Sequence, residues 1–298
     1  MSAVAYAEMT VRNAGFLSAQ EQVRLRDSAV FVCGVGGMGG AAAQSLVRAG
    51  LGRIALADPD RFEASNLNRQ VFATTETIGR EKTYATADAL LKINPDLDVE
   101  IVGADWVEHL PALLTRCPVV VNGMDDLRAA IALYREAGRR GATVVDAYTS
   151  PLPSVTVVTP RDPRPEQRLR YPTASLPLAQ IEPEHVRASF LREIAFVIAH
   201  TSSLKRIDAQ VVREILEGTR ARSSYAPVVI SAGTLMAFEA VQALLGRPSA
   251  AGPAGYFLDL WSGRIQRPGR GWWSRLRTWF AYRALAAHPP FSGQEATR

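Results

Sequence analysis

The sequence predicts an α/β fold, in which a doubly wound, mostly parallel sheet is followed by a C-terminal part of mixed α+β structure. Short apolar runs typical of strands alternate with helical stretches over the first 150 residues, and a glycine-rich turn directly follows the first run. The composition is that of an ordinary globular protein, with 47% hydrophobic and 21% charged residues among 298. A disordered or collagen-like chain is excluded.

Five strands are predicted in the first half of the chain. They are the apolar runs at residues 29–33, 53–57, 99–102, 119–121 and 143–145. Helical spacing lies between them at residues 79–93, 107–114 and 126–140. Because strands that alternate with helices pair in parallel and are covered on both faces, we expect one buried sheet here.

The pattern changes after Ser150. Residues 154–159 predict one more strand. Five prolines between Pro160 and Pro177 predict a long surface crossing, because proline fits neither a helix interior nor a central strand. Further helices are expected at residues 184–199, 209–216 and 228–245, and a hairpin at 256–266.

The net charge of +5 is concentrated in a C-terminal tail. Residues 264–298 contain seven arginines and one acid, Glu295, which gives +6 and leaves −1 for the first 263 residues. A near-neutral body argues against a nucleic-acid-binding fold. We therefore divide the chain into one domain at residues 1–262, with halves at about 27–150 and 151–262, and a basic aromatic tail at 263–298.

Cysteine content and the N-terminus exclude further classes of protein. Cys33 and Cys117 are the only cysteines, so the chain lacks both the four thiolates of a structural zinc site and a redox C-x-x-C pair. The N-terminus has no basic start followed by an apolar core, and no run of about 18 uninterrupted apolar residues occurs. We expect a cytoplasmic protein without zinc or a membrane span.

Three glycines, Gly34, Gly36 and Gly39, stand between the first strand and a helix. This G-x-G-x-x-G turn is typical of a loop that brings backbone N–H groups and a helix N-terminus onto a phosphate. Asp58 follows the next strand, 24 residues after Gly34, about where an acid that binds a ribose hydroxyl belongs. The turn and the acid fit NAD and ATP equally well.

The polar loop after Asp58 favours a triphosphate over a nicotinamide dinucleotide. It contains Asn66, Arg69 and Gln70, and arginine offers a planar fork of donors to anionic oxygens. Lys82 lies near a predicted helix start in a chain with only three lysines. A lysine ammonium at this position indicates a compact positive charge that binds a phosphate.

Two acids, Asp125 and Asp126, follow the strand at 119–121. At the C-terminal edge of an open α/β sheet, a carboxylate can hold Mg²⁺ beside phosphates. For Asp126 the alternative is a helix N-cap, a position that aspartate commonly occupies. Asp125 is therefore the predicted Mg²⁺ ligand.

Together the motifs G-x-G-G-x-G, D-x-D, S-N-L-N-R-Q, G-x-x-K and N-P resemble the ThiF/MoeB/HesA-type adenylyltransferases, relatives of the ubiquitin-activating enzymes. The resemblance covers about residues 12–160 and 225–260. It implies a Rossmann-like fold and an ATP site, in which the glycine turn contacts the phosphates, Asp58 the ribose and Asp125 the Mg²⁺ ion. It also implies that the triphosphate is neutralised by Asn66, Arg69 and Lys82. The glycines concerned are Gly34, Gly36, Gly37 and Gly39.

The resemblance further implies a homodimer, because that family inserts an N-terminal arginine of the partner subunit into the ATP site, and Arg12 matches it best. Three departures stand out: no C-x-x-C zinc pairs, no cysteine after Cys117 for a thioester step, and Asn122 where the family usually has aspartate. Residues 182–222 form a helical insertion that either shapes the groove for the acyl substrate or only adds packing helices.

The tail predicts a helix at residues 271–285 with Trp272, Leu276, Trp279 and Phe280 on one face. Such a helix fits an anionic membrane surface or a groove on a partner protein. The alternative is that it packs against its own core or dimer.

The function expected from these features is ATP- and Mg²⁺-dependent activation of a carboxylate as an acyl-adenylate. The expected substrate is the C-terminus of a small carrier or ubiquitin-like protein, or a peptide. Three alternatives remain: a dehydratase of the same family acting on a tRNA-linked carboxylate, an NAD-dependent oxidoreductase, and a non-catalytic nucleotide-binding scaffold. The near-neutral body argues against tRNA.

Overall fold

The computed structural model describes residues 5–216 and 219–287, and it contains one eight-stranded sheet. The strand order is β3-β2-β1-β4-β5-β6-β7-β8. The strands are β1 Ala29–Cys33, β2 Arg53–Ala57, β3 Asp98–Val102, β4 Val119–Asn122, β5 Thr143–Asp146, β6 Ser154–Val158, β7 Tyr256–Asp259 and β8 Arg264–Gln266. The first five pair in parallel, and β5 to β8 pair antiparallel. The predicted fold class is confirmed.

Eleven α-helices lie in the described part of the chain. They are α1 Tyr6–Thr10, α2 Ala19–Arg26, α3 Gly37–Ala49, α4 Lys82–Leu91, α5 Trp106–Arg116, α6 Leu127–Arg140, α7 Pro165–Arg168, α8 Pro183–His200, α9 Ala209–Leu216, α10 Ala226–Leu245 and α11 Trp272–Ala286. Short 3-10 turns are formed by Val11–Asn13, Ala64–Asn66, Pro172–Ser175, Leu178–Gln180 and Ser203–Lys205.

The core covers both faces of the sheet because side chains of a strand alternate between its two sides. Val30 and Val32 of β1 join the cluster formed with α3, α4 and α10. Phe31, between them in sequence, joins the opposite cluster with Trp106 of α5 and Leu133 of α6. This is the two-sided burial expected of parallel strands.

Helix α10 is the one described helix long and apolar enough to cross a membrane, with a mean hydropathy of 1.8, and half of that apolar window is buried. It packs against α3 and against β4, β5 and β6. A Cβ on Gly233 would lie 2.3 Å from the carbonyl oxygen of Met38, so the two helices are in close backbone contact. These contacts make α10 a central helix of the core.

The proline-rich crossing after β6 is more regular than predicted, since α7 and two 3-10 turns lie within it. Pro165 and Pro172 stand at the first positions of α7 and of the turn at 172–175, where proline's fixed φ is already helical. Arg135 of α6 donates two hydrogen bonds to the buried Glu166 carboxylate, at 2.8 and 2.9 Å. It also donates to the carbonyl oxygens of Thr173 and Leu176, so the crossing is fixed onto α6.

The predicted boundary between domain and tail differs from the structure. Strand β8 pairs with β7 as the last strand of the sheet, so the first residues of the predicted tail belong to the sheet. Helix α11 follows and packs on α8. Residues 288–298 of the predicted tail lie outside the described residues.

Candidate active site

The glycine turn at the C-terminal end of β1 leads directly into α3. Gly34 has φ +77°, and its N–H donates to the carbonyl oxygen of Ala57 at 2.7 Å. A Cβ on Gly39 would lie 1.8 Å from the carbonyl oxygen of Gly34, so only glycine permits this approach. Gly36 is the N-cap of α3 and makes no side-chain cap, and Gly37 contacts Val229 of α10. The turn therefore leaves the first amides of a 13-residue helix available to an anion.

Asp58 lies directly behind this turn, at the end of β2. Its carboxylate accepts hydrogen bonds from the backbone N–H groups of Val35 and Asp60, at 2.9 and 3.0 Å. Burial raises the pKa of Asp58, and the charge of Lys82 opposes that rise. Asp58 is thus fixed against the glycine turn, at the position predicted from its spacing.

Lys82 begins α4, and the structure brings its ammonium to the same place. The Nζ atom lies 2.8 Å from Oδ2 of Asp60 and 3.8 Å from Oδ1 of Asp58. The Lys82 side chain is only 8% exposed, whereas that of Asp60 is 66% exposed. A buried ammonium beside a glycine turn is a fixed positive charge suited to a phosphate.

The loop at residues 64–70 places its three predicted site residues differently. Gln70 is buried against Gly36, and its Oε1 atom has no hydrogen-bond partner within the described residues. The Cγ of Arg69 lies 3.8 Å from a Cβ built on Gly37, while its guanidinium donates to the Ser65 carbonyl and to Asn68 Oδ1. Gln70 and Arg69 therefore border the start of α3.

Asn66 has a local structural role. It is buried, its side-chain carbonyl accepts a hydrogen bond from the N–H of Glu63 at 3.2 Å, and its amide donates to the hydroxyl of Ser65. The side chain thus closes the turn that presents Arg69 and Gln70.

The acidic segment after β4 is in backbone contact with the glycine turn. The N–H of Gly123 donates to the Cys33 carbonyl at 2.7 Å, and a Cβ on Gly123 would lie 2.4 Å from the Gly34 carbonyl oxygen. Asp125, two residues further, is exposed at this edge. Asp126 accepts hydrogen bonds from two backbone N–H groups of the first turn of α6, at 2.8 and 3.1 Å, which confirms the N-cap interpretation for this residue.

Sequence reasoning missed Asp146, the last residue of β5. Its Oδ2 atom accepts hydrogen bonds from Asn122 Nδ2 at 2.9 Å and from the Tyr134 hydroxyl at 2.7 Å. Burial raises the pKa of Asp146 to about 6, and these two hydrogen bonds oppose the rise. A carboxylate therefore adjoins Asn122, the position at which the resemblance expects an acid. An aspartate ending a short apolar run was the available signal, and it is the signal that identified Asp58.

A cavity joins Asp125 to Asp146, and α8 forms one of its walls. Its lining includes Tyr171, Phe190, Glu193 and Arg222. Glu193 accepts a hydrogen bond from the Tyr171 hydroxyl at 3.1 Å, and burial raises its pKa. The predicted helical insertion at residues 182–222 thus contributes side chains to a cavity beside the sheet edge.

Arg12 does not lie in the site of its own chain. The adjoining segment is anchored at the far end of α3, where Asn13 donates to the Ala49 carbonyl at 2.9 Å and the Tyr6 hydroxyl to the Gly50 carbonyl at 2.6 Å. A 13-residue helix spans about 20 Å, which separates Arg12 from the glycine turn. Arg12 can reach such a site only in a second copy of the chain.

The protein groups at this edge fit a magnesium nucleotide. Within residues 5–216 and 219–287, no group of three or more His, Cys, Asp and Glu side chains could hold a metal ion by itself. An Mg²⁺ ion at Asp125 would take its remaining ligands from phosphate oxygens and water, as this ion commonly does. Cys33 and Cys117 are free and buried, and burial raises the pKa of both thiols.

Comparison with known proteins identifies the family of this chain. The model of the ThiF family matches residues 10–270. The sulfur carrier protein ThiS adenylyltransferase of Escherichia coli strain K12 is 37% identical over 107 residues, which are 36% of this chain and 43% of the relative. The chain thus spans less than half the length of this relative.

Two solved structures share the fold. E. coli MccB with ATP superposes with a TM-score of 0.59 and 18% identity, covering 84% of this chain and 67% of MccB. The E. coli tRNA N6-threonylcarbamoyladenosine dehydratase TcdA superposes with a TM-score of 0.56 and 21% identity, covering 80% of this chain and 95% of TcdA.

Proposed function

The chain belongs to the ThiF family, and we propose that it is an ATP- and Mg²⁺-dependent adenylyltransferase that activates a carboxylate as an acyl-adenylate. The observation that carries this proposal is the backbone contact between the Gly34–Gly39 turn and the acidic segment at Gly123. This contact supports the proposal because it brings a glycine turn with a buried ammonium next to exposed and buried carboxylates. A nucleotide bound with its magnesium ion needs a positive group for its phosphates and a carboxylate for the metal.

On the phosphate side, the amides at the start of α3 and the Lys82 ammonium take up the negative charge of the triphosphate. Asp58 accepts a hydrogen bond from a ribose hydroxyl. Gln70 is buried beside Gly36 and packs against the start of the turn. Asp125 would hold Mg²⁺, which supplies neutralisation of phosphate charge when bound.

The substrate carboxylate enters from the cavity side and attacks the α-phosphorus of ATP. One carboxylate oxygen–phosphorus bond forms, the bond from the α-phosphorus to the bridging oxygen breaks, and pyrophosphate leaves with that electron pair. No general base is needed because the nucleophile is already ionised. The chain's contribution is positioning and charge stabilisation, which dominate phosphoryl-type transfers.

We propose the C-terminus of a small carrier or ubiquitin-like protein, or of a peptide, as the substrate. The name of the ThiS adenylyltransferase supports this class, because it states that this relative acts on a sulfur carrier protein. Cys33 and Cys117 are the only thiols of the chain, and both are buried. The acyl group is therefore released as adenylate or captured by an external acceptor.

A homodimer completes the proposal. Arg12 is exposed and lies at the end of α3 remote from the glycine turn of its own chain. A second copy that donates Arg12 would add one more guanidinium at the triphosphate.

Calorimetric titration with ATP plus Mg²⁺, and separately with NAD, is the first test. Magnesium-dependent ATP binding without NAD binding is expected, and NAD binding alone would replace the proposal by an oxidoreductase. Pyrophosphate exchange is then measured with synthetic peptides ending in a free carboxylate and with the same peptides as C-terminal amides. Exchange with the free acids only supports activation. ATP binding without exchange favours a scaffold.

A further inference from the structure

Helix α11 contacts the rest of the protein through a face that carries polar side chains. The Ser274 and Thr278 hydroxyls each lie 3.1 Å from Nε2 of His200 at the end of α8. Arg277 donates to the Ala199 carbonyl, and Arg192 of α8 lies 4.7 Å from the centre of the Tyr282 ring. Residues 274, 278 and 282, spaced by four, therefore define the inner face of α11.

The opposite face of α11 is aromatic and exposed. Trp272, Trp273, Trp279 and Phe280 are 62%, 63%, 50% and 59% exposed. The rings form two contacting pairs, since Trp272 stacks on Trp273 at 3.7 Å and Trp279 meets Phe280 edge-on at 4.9 Å between ring centres. Three residues of the predicted face, Trp272, Trp279 and Phe280, lie on this exposed side, whereas Leu276 is half-buried.

This arrangement inverts the usual surface helix, which buries its apolar face and exposes its polar one. Four large aromatic side chains are exposed on this side of the helix, and exposed apolar surface of this kind marks binding surfaces. The packing alternative considered for the tail is met by the inner face, whereas the four aromatic rings remain exposed.

The positive charge of the surrounding segment indicates what binds to the aromatic face. Arg270, Arg275 and Arg283 are exposed, and no acidic residue occurs between Arg264 and Ala287. The Arg283 guanidinium lies 5.5 Å from the centre of the Trp279 ring, in the middle of the aromatic face. Guanidinium groups can pair with anionic lipid headgroups, and the tryptophan rings beside them can occupy the apolar boundary just below those headgroups.

We propose that α11 docks the protein onto an anionic lipid surface, with the Trp272, Trp273, Trp279 and Phe280 rings in the interfacial layer and the arginines at the headgroups. The docking is peripheral and independent of the proposed catalytic activity.

The test is co-sedimentation of the full chain with vesicles of phosphatidylcholine alone and of phosphatidylcholine with phosphatidylglycerol. Binding to the anionic vesicles only, weakened by salt, is expected. The variant Trp272→Ser/Trp273→Ser/Trp279→Ser, and separately Arg275→Gln/Arg283→Gln, should each lower the partition coefficient about tenfold or more.

Phe16→Ser is the matched control, because Phe16 is 82% exposed and far from α11 in sequence, and it should bind as wild type does. Circular dichroism and ATP binding check that each variant is folded. Wild-type protein that stays in the supernatant with anionic vesicles overturns the proposal and leaves a protein partner for this face. Equal binding to neutral vesicles, or binding that survives both α11 variants, overturns it as well.

Discussion

The candidate site has a phosphate side and an acidic side, which are in contact through glycine backbone. They differ in charge and in the elements of the fold that form them. The phosphate side consists of a glycine turn, Asp58 and the buried Lys82, which belong to neighbouring strands and the helices that follow them. The acidic side gathers Asp125 from the segment after β4, Asp146 from β5 and Glu193 from α8. The difference is that the groups of the phosphate side follow the neighbouring strands β1 and β2, whereas the acidic side also takes a side chain from the more distant helix α8.

Removal of positive charge from the phosphate side should have the largest effect. Lys82→Ala and Arg69→Ala are each expected to lower the rate of pyrophosphate exchange by about 10²-fold or more, the size typical of one lost electrostatic contact in a transition state. Lys92→Ala is the matched control, since Lys92 is an exposed lysine at the C-terminal end of the same helix. Wild-type rates in both site variants would show that the phosphates lie elsewhere.

Removal of negative charge from the acidic side should change the metal requirement. Asp125→Asn is expected to abolish the Mg²⁺ dependence of ATP binding, measured by calorimetry with and without the ion. Asp126→Asn should leave that dependence intact, because the Asp126 carboxylate caps α6. If Asp125→Asn keeps the dependence, the metal is held by other groups.

The buried carboxyl group of Asp146 should make the free energy of unfolding depend on pH. The pKa of Asp146 is raised from 3.8 to about 6, so the folded protein binds this proton more tightly than the unfolded chain. The contribution of Asp146 to the free energy of unfolding should therefore fall as pH rises from about 4 to about 6, by about 1–3 kcal/mol. Urea unfolding of wild type and Asp146→Asn across pH 4–8 measures it as the difference between the two curves. Parallel curves would contradict the assignment.

The smallest effect is expected for the helix cap beside the metal residue. Asp126→Ala removes hydrogen bonds to the N–H groups of Arg128 and Ala129 and should lower the free energy of unfolding by about 1 kcal/mol. Urea unfolding provides the measurement. A stable variant with altered Mg²⁺ dependence would reassign the metal site from Asp125 to Asp126.

The sequence predicts the phosphate side well because the glycine turn and the acid after the next strand form a motif of known spacing. Gly34, Gly39 and Asp58 follow from a turn and a strand end, and the structure joins them through the hydrogen bond from Val35 to Asp58. Asp146 lies beside Asn122 because β5 pairs with β4, and Glu193 lines the same cavity from α8, which depends on long-range packing. The place of Arg12 at the other end of α3 likewise depends on where the N-terminal helix docks.

The hydrogen bond between Asn122 and Asp146 bears on how such proteins are compared. Position 122 carries an amide where the resemblance expects an acid. In space, the Asp146 carboxylate lies 2.9 Å from that amide, on the neighbouring strand of the same sheet. A comparison of single sequence positions would therefore miss a negative charge that the adjacent strand supplies to this edge.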